Sequence, residues 1–75
     1  MTDRYTTADL FEELDGKTFF SAYAFEDAVI GLFNEHLRDF PPGYGYRDAI
    51  EQAHQSGWLR IEKGQLKVET SKAAA

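Results

Sequence analysis

No cysteine occurs in the 75 residues, which excludes a disulfide framework, a thiolate zinc site and a cysteine nucleophile. Stability has to come from packing, an arrangement that suits a reducing cytoplasm. Proline is confined to Pro41-Pro42, so helical patterning meets one enforced break. No apolar run approaches the ~20 residues that span a bilayer, and Met1-Thr2-Asp3-Arg4 lacks the basic-then-apolar order of an export signal. A cytoplasmic location without membrane insertion is expected. Also missing are a serine in a nucleophile-elbow sequence and a phosphate loop, since Gly43-Tyr44-Gly45 has neither the following lysine nor a preceding strand. His36 and His54 are the only histidines. Glu35 or Asp39 with His36 gives a partial ligand set on one helix, short of the three or four convergent donors a metal needs. The acid pairs Glu12-Glu13 and Glu26-Asp27 fit ordinary solvated helix faces. No catalytic residue, metal site or cofactor is expected, and the chain is read as non-enzymatic.

What is present is a small chain rich in large side chains, 15% aromatic and 43% hydrophobic. A single domain of this size buries only roughly 60 to 65% of its unfolded surface. The net charge of -5 is uneven: residues 1 to 46 hold three cations against nine acids, and residues 47 to 75 hold five against four. An acidic body thus carries a slightly basic C-terminal part.

A first short helix is expected at Ala8 to Leu14, capped by the Thr6-Thr7 hydroxyls, buried through Leu10, Phe11 and Leu14 and stopped at Gly16. Residues 17 to 21 are ambiguous between strand and helix; a short extended segment is favoured, with Ser21 free to cap the next helix. Apolar residues at Phe25, Ala28, Val29, Leu32, Phe33, Leu37 and Phe40 predict a long helix from about Ala22 to Asp39, with Gly31 as the mark of a close helix crossing. A third helix is predicted over residues 46–56, with Gly57 left-handed after it and Trp58 packing back on Ala53 in a Schellman ending. Leu59, Ile61, Leu66 and Val68 alternate with polar residues about Lys63-Gly64. A two-residue loop there opposes Ile61 to Leu66 and Leu59 to Val68 and turns all four toward the helices, whatever the turn type. The ordered core is placed at about residues 6–69, with 70–75 as a frayed tail.

A helix ending at glycine and followed at once by a short-turned hairpin resembles the recognition helix and wing of winged helix-turn-helix domains. The likeness rests on Tyr46 to Val68, with the preceding helices fitting in order. The fold class expected is therefore mainly α with a C-terminal β-hairpin, a three-helix winged-helix-like domain occupying residues 1–75. The resemblance implies that helix 46–56 and wing 59–68 are the surfaces that would meet nucleic acid, through Arg47, Gln52, Gln55, Arg60, Lys63 and Lys67. The Pro41 to Gly45 connection is longer than the usual turn of that motif, and Asp48, Glu51 and the overall negative charge oppose phosphate binding.

Protein interaction is the first expectation, as an adaptor, regulatory subunit or self-associating domain whose partner is another protein or a copy of itself. Tyr44, Tyr46 and Arg47 beside the Pro41 turn are its candidate interface, because rigid aromatics give contact area at low entropy cost. The edge of the hairpin adds a second surface. A DNA-binding regulator is the alternative, and an acidic mimic of nucleic acid a remoter one.

Overall fold

The computed structural model describes residues 4–70. Its elements run α1 (Thr7–Glu13), β1 (Thr18–Phe19), α2 (Ala22–Glu35), a 3₁₀ turn (Leu37–Asp39), α3 (Tyr46–Ser56), β2 (Leu59–Glu62) and β3 (Gln65–Val68). Three helices thus accompany a three-stranded antiparallel sheet of order β1-β3-β2. Among the described residues no helix is long and apolar enough to cross a membrane.

The first two helices begin where a short polar side chain accepts from an open backbone donor of the first turn. Thr6 Oγ1 accepts from the Asp9 amide at 3.2 Å while Asp9 Oδ2 accepts from the Thr6 amide at 2.9 Å, a reciprocal capping box. Ser21 Oγ accepts from the Ala24 amide at 3.2 Å. At α3 the cap residue is Gly45, and Asp48 Oδ2 reaches back to its amide at 2.8 Å. The end of α3 is the expected Schellman motif: Gly57 has φ 77°, its amide donates to His54 O at 3.2 Å, and the Trp58 amide donates to Ala53 O at 3.0 Å.

The core joins all three helices to the sheet. Leu10, Phe11, Val29, Ala49, Ala53 and Val68 have no exposed surface, and each large member contributes about 1.5 to 3 kcal/mol by leaving water. The Phe11 ring lies 6.1 Å from Phe25 and 5.8 Å from the half-buried Trp58, so α1 is wedged between α2 and the base of the hairpin. Tyr5 pins the approach to α1. Its ring stacks on His36 at 3.5 Å and its hydroxyl donates to Glu13; burial first, and then that hydrogen bond, raise its pKa above the ordinary phenol value.

Within 17–21 the extended reading holds for Thr18–Phe19, the strand β1, whose partner is β3, with Thr18 opposite Lys67 and Phe19 opposite Leu66. The hairpin register is the expected one, Leu59 with Val68 and Ile61 with Leu66. Lys63 at φ 52° and Gly64 at φ 77° place positive φ at both central residues, as a type I′ turn demands.

Four expectations are corrected. The second helix ends at Glu35 rather than Asp39, and Leu37 is 54% exposed instead of buried. Seven further residues of unbroken helix would carry Phe40 about 10.5 Å along the axis from Phe33; leaving the helix at His36 brings the Phe40 ring back to 4.4 Å from that of Phe33, stacked. Gly31 marks no crossing, because a Cβ built there meets nothing within 4 Å. Ile61 lies on the expected face but is not covered by the helices. It lies near the hairpin tip, beyond the reach of the helical layer, and is 70% exposed, whereas Val68 on the same face is fully buried. Thr70 is not frayed, since its amide donates to Asp15 Oδ1 at 2.8 Å; the rest of the expected tail, 71–75, lies outside the described residues.

The open surroundings of Gly31 yield a direct test. Gly31→Ala should stabilise the domain by about 1 kcal/mol by removing helix-interior glycine, which raises Tm by roughly 4 to 8 °C for a chain this short. A lowered Tm in a calorimetric scan would mean that this face of α2 is covered in the folded protein.

Candidate functional site

The surfaces nominated from sequence meet around α3. Its inward stripe, Ala49 and Ala53, is fully buried, which turns Arg47, Asp48, Glu51, Gln52 and Gln55 to solvent. Between this face and Tyr44 runs an open groove lined by Tyr44, Asp48, Glu51, Gln52, Gln55 and Ser56. Asp48 caps the helix, and Gln55 Nε2 donates to Glu51 Oε2 at 3.4 Å. Two carboxylates on this face leave it poorly suited to a phosphate backbone.

Tyr44 is not the presented aromatic that its place beside two prolines suggested. It is half-buried, its ring stacked 5.7 Å from Phe40 and 6.3 Å from Phe33. Its hydroxyl lies 2.8 Å from Thr7 Oγ1 and donates to Gln52 Oε1 at 3.0 Å. Because the phenol proton goes to Gln52, Thr7 is the donor in the other bond. The chain Thr7, Tyr44, Gln52 thereby ties α1 to α3 and gives the buried Thr7 hydroxyl its partner. Tyr44 is a structural strut. Of the other two nominated interface residues, Arg47 is exposed and Tyr46, like Tyr44, is half-buried against the core, with the Arg47 guanidinium 6.0 Å above the Tyr46 ring.

The hairpin cations are also committed. Pairing of β2 with β3 sets Arg60 directly opposite Lys67, a like-charge neighbour pair that is unfavourable without an anion between. Glu69 supplies it: Oε1 lies 3.0 Å from Arg60 Nη1 and Oε2 lies 3.4 Å from Lys67 Nζ. Glu62 approaches the other side of Arg60 at 3.4 Å. The hydrogen bond to Glu69, then the Glu62 and Glu69 charges, raise the Arg60 pKa further above its usual value. Sequence reasoning passed over Glu69, although extending the hairpin register by one pair sets it opposite Trp58 and diagonal to Arg60. The Glu69 amide does donate to Trp58 O, at 2.8 Å. Lys63 stands apart at the turn.

No family model, curated protein or solved structure matches this chain. The chemistry of the surface must therefore speak for itself. Among the described residues no three His, Asp or Glu side chains converge as a metal would require. What stands out is apolar: Phe20 is 86% exposed, Tyr23 81% and Ile61 70%. Phe20 and Tyr23 flank the start of α2, and Ile61 sits on the edge strand β2.

The strut assignment of Tyr44 predicts two graded losses. Tyr44→Ala should destabilise by about 3 kcal/mol through the lost ring contacts. Tyr44→Phe should cost about 1 kcal/mol, because the Thr7 hydroxyl loses its partner. Urea titrations with unchanged midpoints for both variants would return Tyr44 to the surface role.

Proposed function

We propose that this chain is a non-enzymatic, winged-helix-like protein-interaction module, of the adaptor, regulatory-subunit or self-associating kind. Support for the winged-helix likeness comes from the hairpin that leaves α3 through Gly57 and Trp58, joined by a third strand from the connection between α1 and α2. The scaffold itself serves nucleic-acid and protein recognition alike, so function has to be argued from the surface.

The observation that carries the reading is the internal neutralisation of the wing. Arg60 and Lys67, two cations that a nucleic-acid reader would direct at phosphates, are bound to Glu69, and Arg60 to Glu62 as well. On α3, Gln52 is held by Tyr44 and Gln55 by Glu51. A duplex would have to break these contacts before gaining any, and it would do so against a net charge of -5. Exposed Phe20, Tyr23 and Ile61 give instead the large apolar side chains on which protein interfaces are centred.

Fluorescence anisotropy with a labelled random duplex at about 50 mM salt should show no affinity tighter than ~10 μM. The paired substitutions Glu62→Gln and Glu69→Gln should tighten that binding several-fold by releasing Arg60 and Lys67. Submicromolar binding by the unaltered protein, steep in salt and lost on replacing Arg47, Arg60 and Lys67, would make the chain a DNA-binding regulator instead.

A further inference from the structure

β2 is an edge strand, and the register of the hairpin determines which of its backbone groups point outward. The Glu69 amide donates to Trp58 O, while the Val68 amide donates to Lys17 O at 3.1 Å and Val68 O accepts from the Gly16 amide at 2.7 Å. Val68 therefore turns its polar groups toward β1, and Leu59, opposite it, is a non-hydrogen-bonded position of the β2-β3 ladder. By the alternation of an antiparallel pair, so is Ile61. The N–H and C=O of Leu59 and Ile61 thus point away from the sheet, and the Ile61 side chain beside them is 70% exposed.

We infer that the occupant of this edge is a second copy of the same strand, running antiparallel in the register that sets Ile61 opposite Ile61. The inference rests on the protein-interaction reading and names its partner. An antiparallel copy can hydrogen-bond only where outward residues meet outward residues, which leaves Leu59 on Leu59, Leu59 on Ile61, or Ile61 on Ile61. The second of these sets Arg60 against Arg60, a repulsive pair. The first sets Arg60 against Trp58 and Ile61 against Gly57. Only the third sets each Arg60 against Glu62 of the other copy, twice by symmetry. It also centres the two-fold axis on a pair that exchanges both N–H···O bonds.

The same register covers the exposed Ile61. Phe19, Leu66 and Ile61 form a cross-strand row, so two copies related by a two-fold axis normal to the sheet continue that row through Ile61 to Ile61 on one face. The Arg60 and Glu62 charges join on the other face. The symmetry is closed, and the assembly stops at two because the opposite edge, β1, spans only Thr18–Phe19. An interface of two short strands falls in the small, weak class.

Sedimentation equilibrium of the full chain over about 10 μM to 1 mM should therefore show a reversible monomer-dimer equilibrium. Arg60→Glu leaves acids at both charged positions of β2, and Glu62→Arg leaves bases at both. Each variant alone should dimerise at least tenfold more weakly, and an equimolar mixture of the two should recover association as a heterodimer. Ile61→Lys, at a largely exposed position, should weaken dimerisation likewise with an unchanged circular dichroism spectrum, which guards against a fold disturbed at Arg60. A monomer at every concentration overturns the self-pairing and leaves the interaction-module reading intact, because that reading falls only to tight duplex binding. Dimerisation indifferent to all three substitutions, or a mixture no stronger than its components, also overturns the inference.

Discussion

Backbone pairing of Gly16 and Lys17 with Val68 closes the molecule. Those two bonds and the β1 pairs that continue them, Thr18 with Lys67 and Phe19 with Leu66, make β3 a central strand, bring the end of α1 against the last strand and enclose the Val68 side chain completely. Without them the hairpin would be a two-stranded ribbon, which is marginal by itself in water. The first helix, only Thr7–Glu13, would likewise be too short to persist alone. Each depends on the other across nearly the whole chain. The loop-closure entropy of joining them is recovered by burying Leu10, Phe11 and Val68 together.

Closure also sorts the charges. With β3 central, Arg60, Lys67 and Glu69 share the outer face of the sheet, and their ion pairs form within one chain. Exposed pairs of this kind are worth little as stability. Their effect is on availability, since a cation occupied by its own neighbour attracts an external phosphate less. The three most exposed apolar side chains, Phe20, Tyr23 and Ile61, sit on β2 and at the start of α2, outside the lining of the groove beside α3. Two surfaces of different character thus lie on one small body.

Local periodicity disclosed a good part of this in advance. Alternation about Lys63-Gly64 carried the hairpin register, and the Gly57-Trp58 pair carried the helix ending, because both depend on neighbours in sequence. Burial depends on distant partners and was harder to see. Ile61 obeys the same alternation as Leu59 and Val68, yet alternation assigns a face and not the extent of the helical layer beneath it. Phe40 keeps the helical spacing of the stripe through Phe33, so nothing local announced that the helix would stop at His36 to stack the two rings. Tyr44 beside prolines looked like a loop ornament; its partners Thr7, Phe33, Phe40 and Gln52 come from four separate stretches of chain. The Glu69 counterion was the most recoverable of the omissions, being one step along a register already known.

Trp58 occupies the joint between α3 and the sheet through its backbone as well as its ring. Its amide donates into the last turn of α3 at Ala53, and its carbonyl accepts from Glu69 at the end of β3. One residue thus belongs to two hydrogen-bonded frameworks at once, and Gly57 before it sits in the left-handed turn that sets the exit angle. The hairpin is consequently tied to α3 rather than hung from it. A displacement of the hairpin would be carried to α3 through a bonded joint with no slack residue in it.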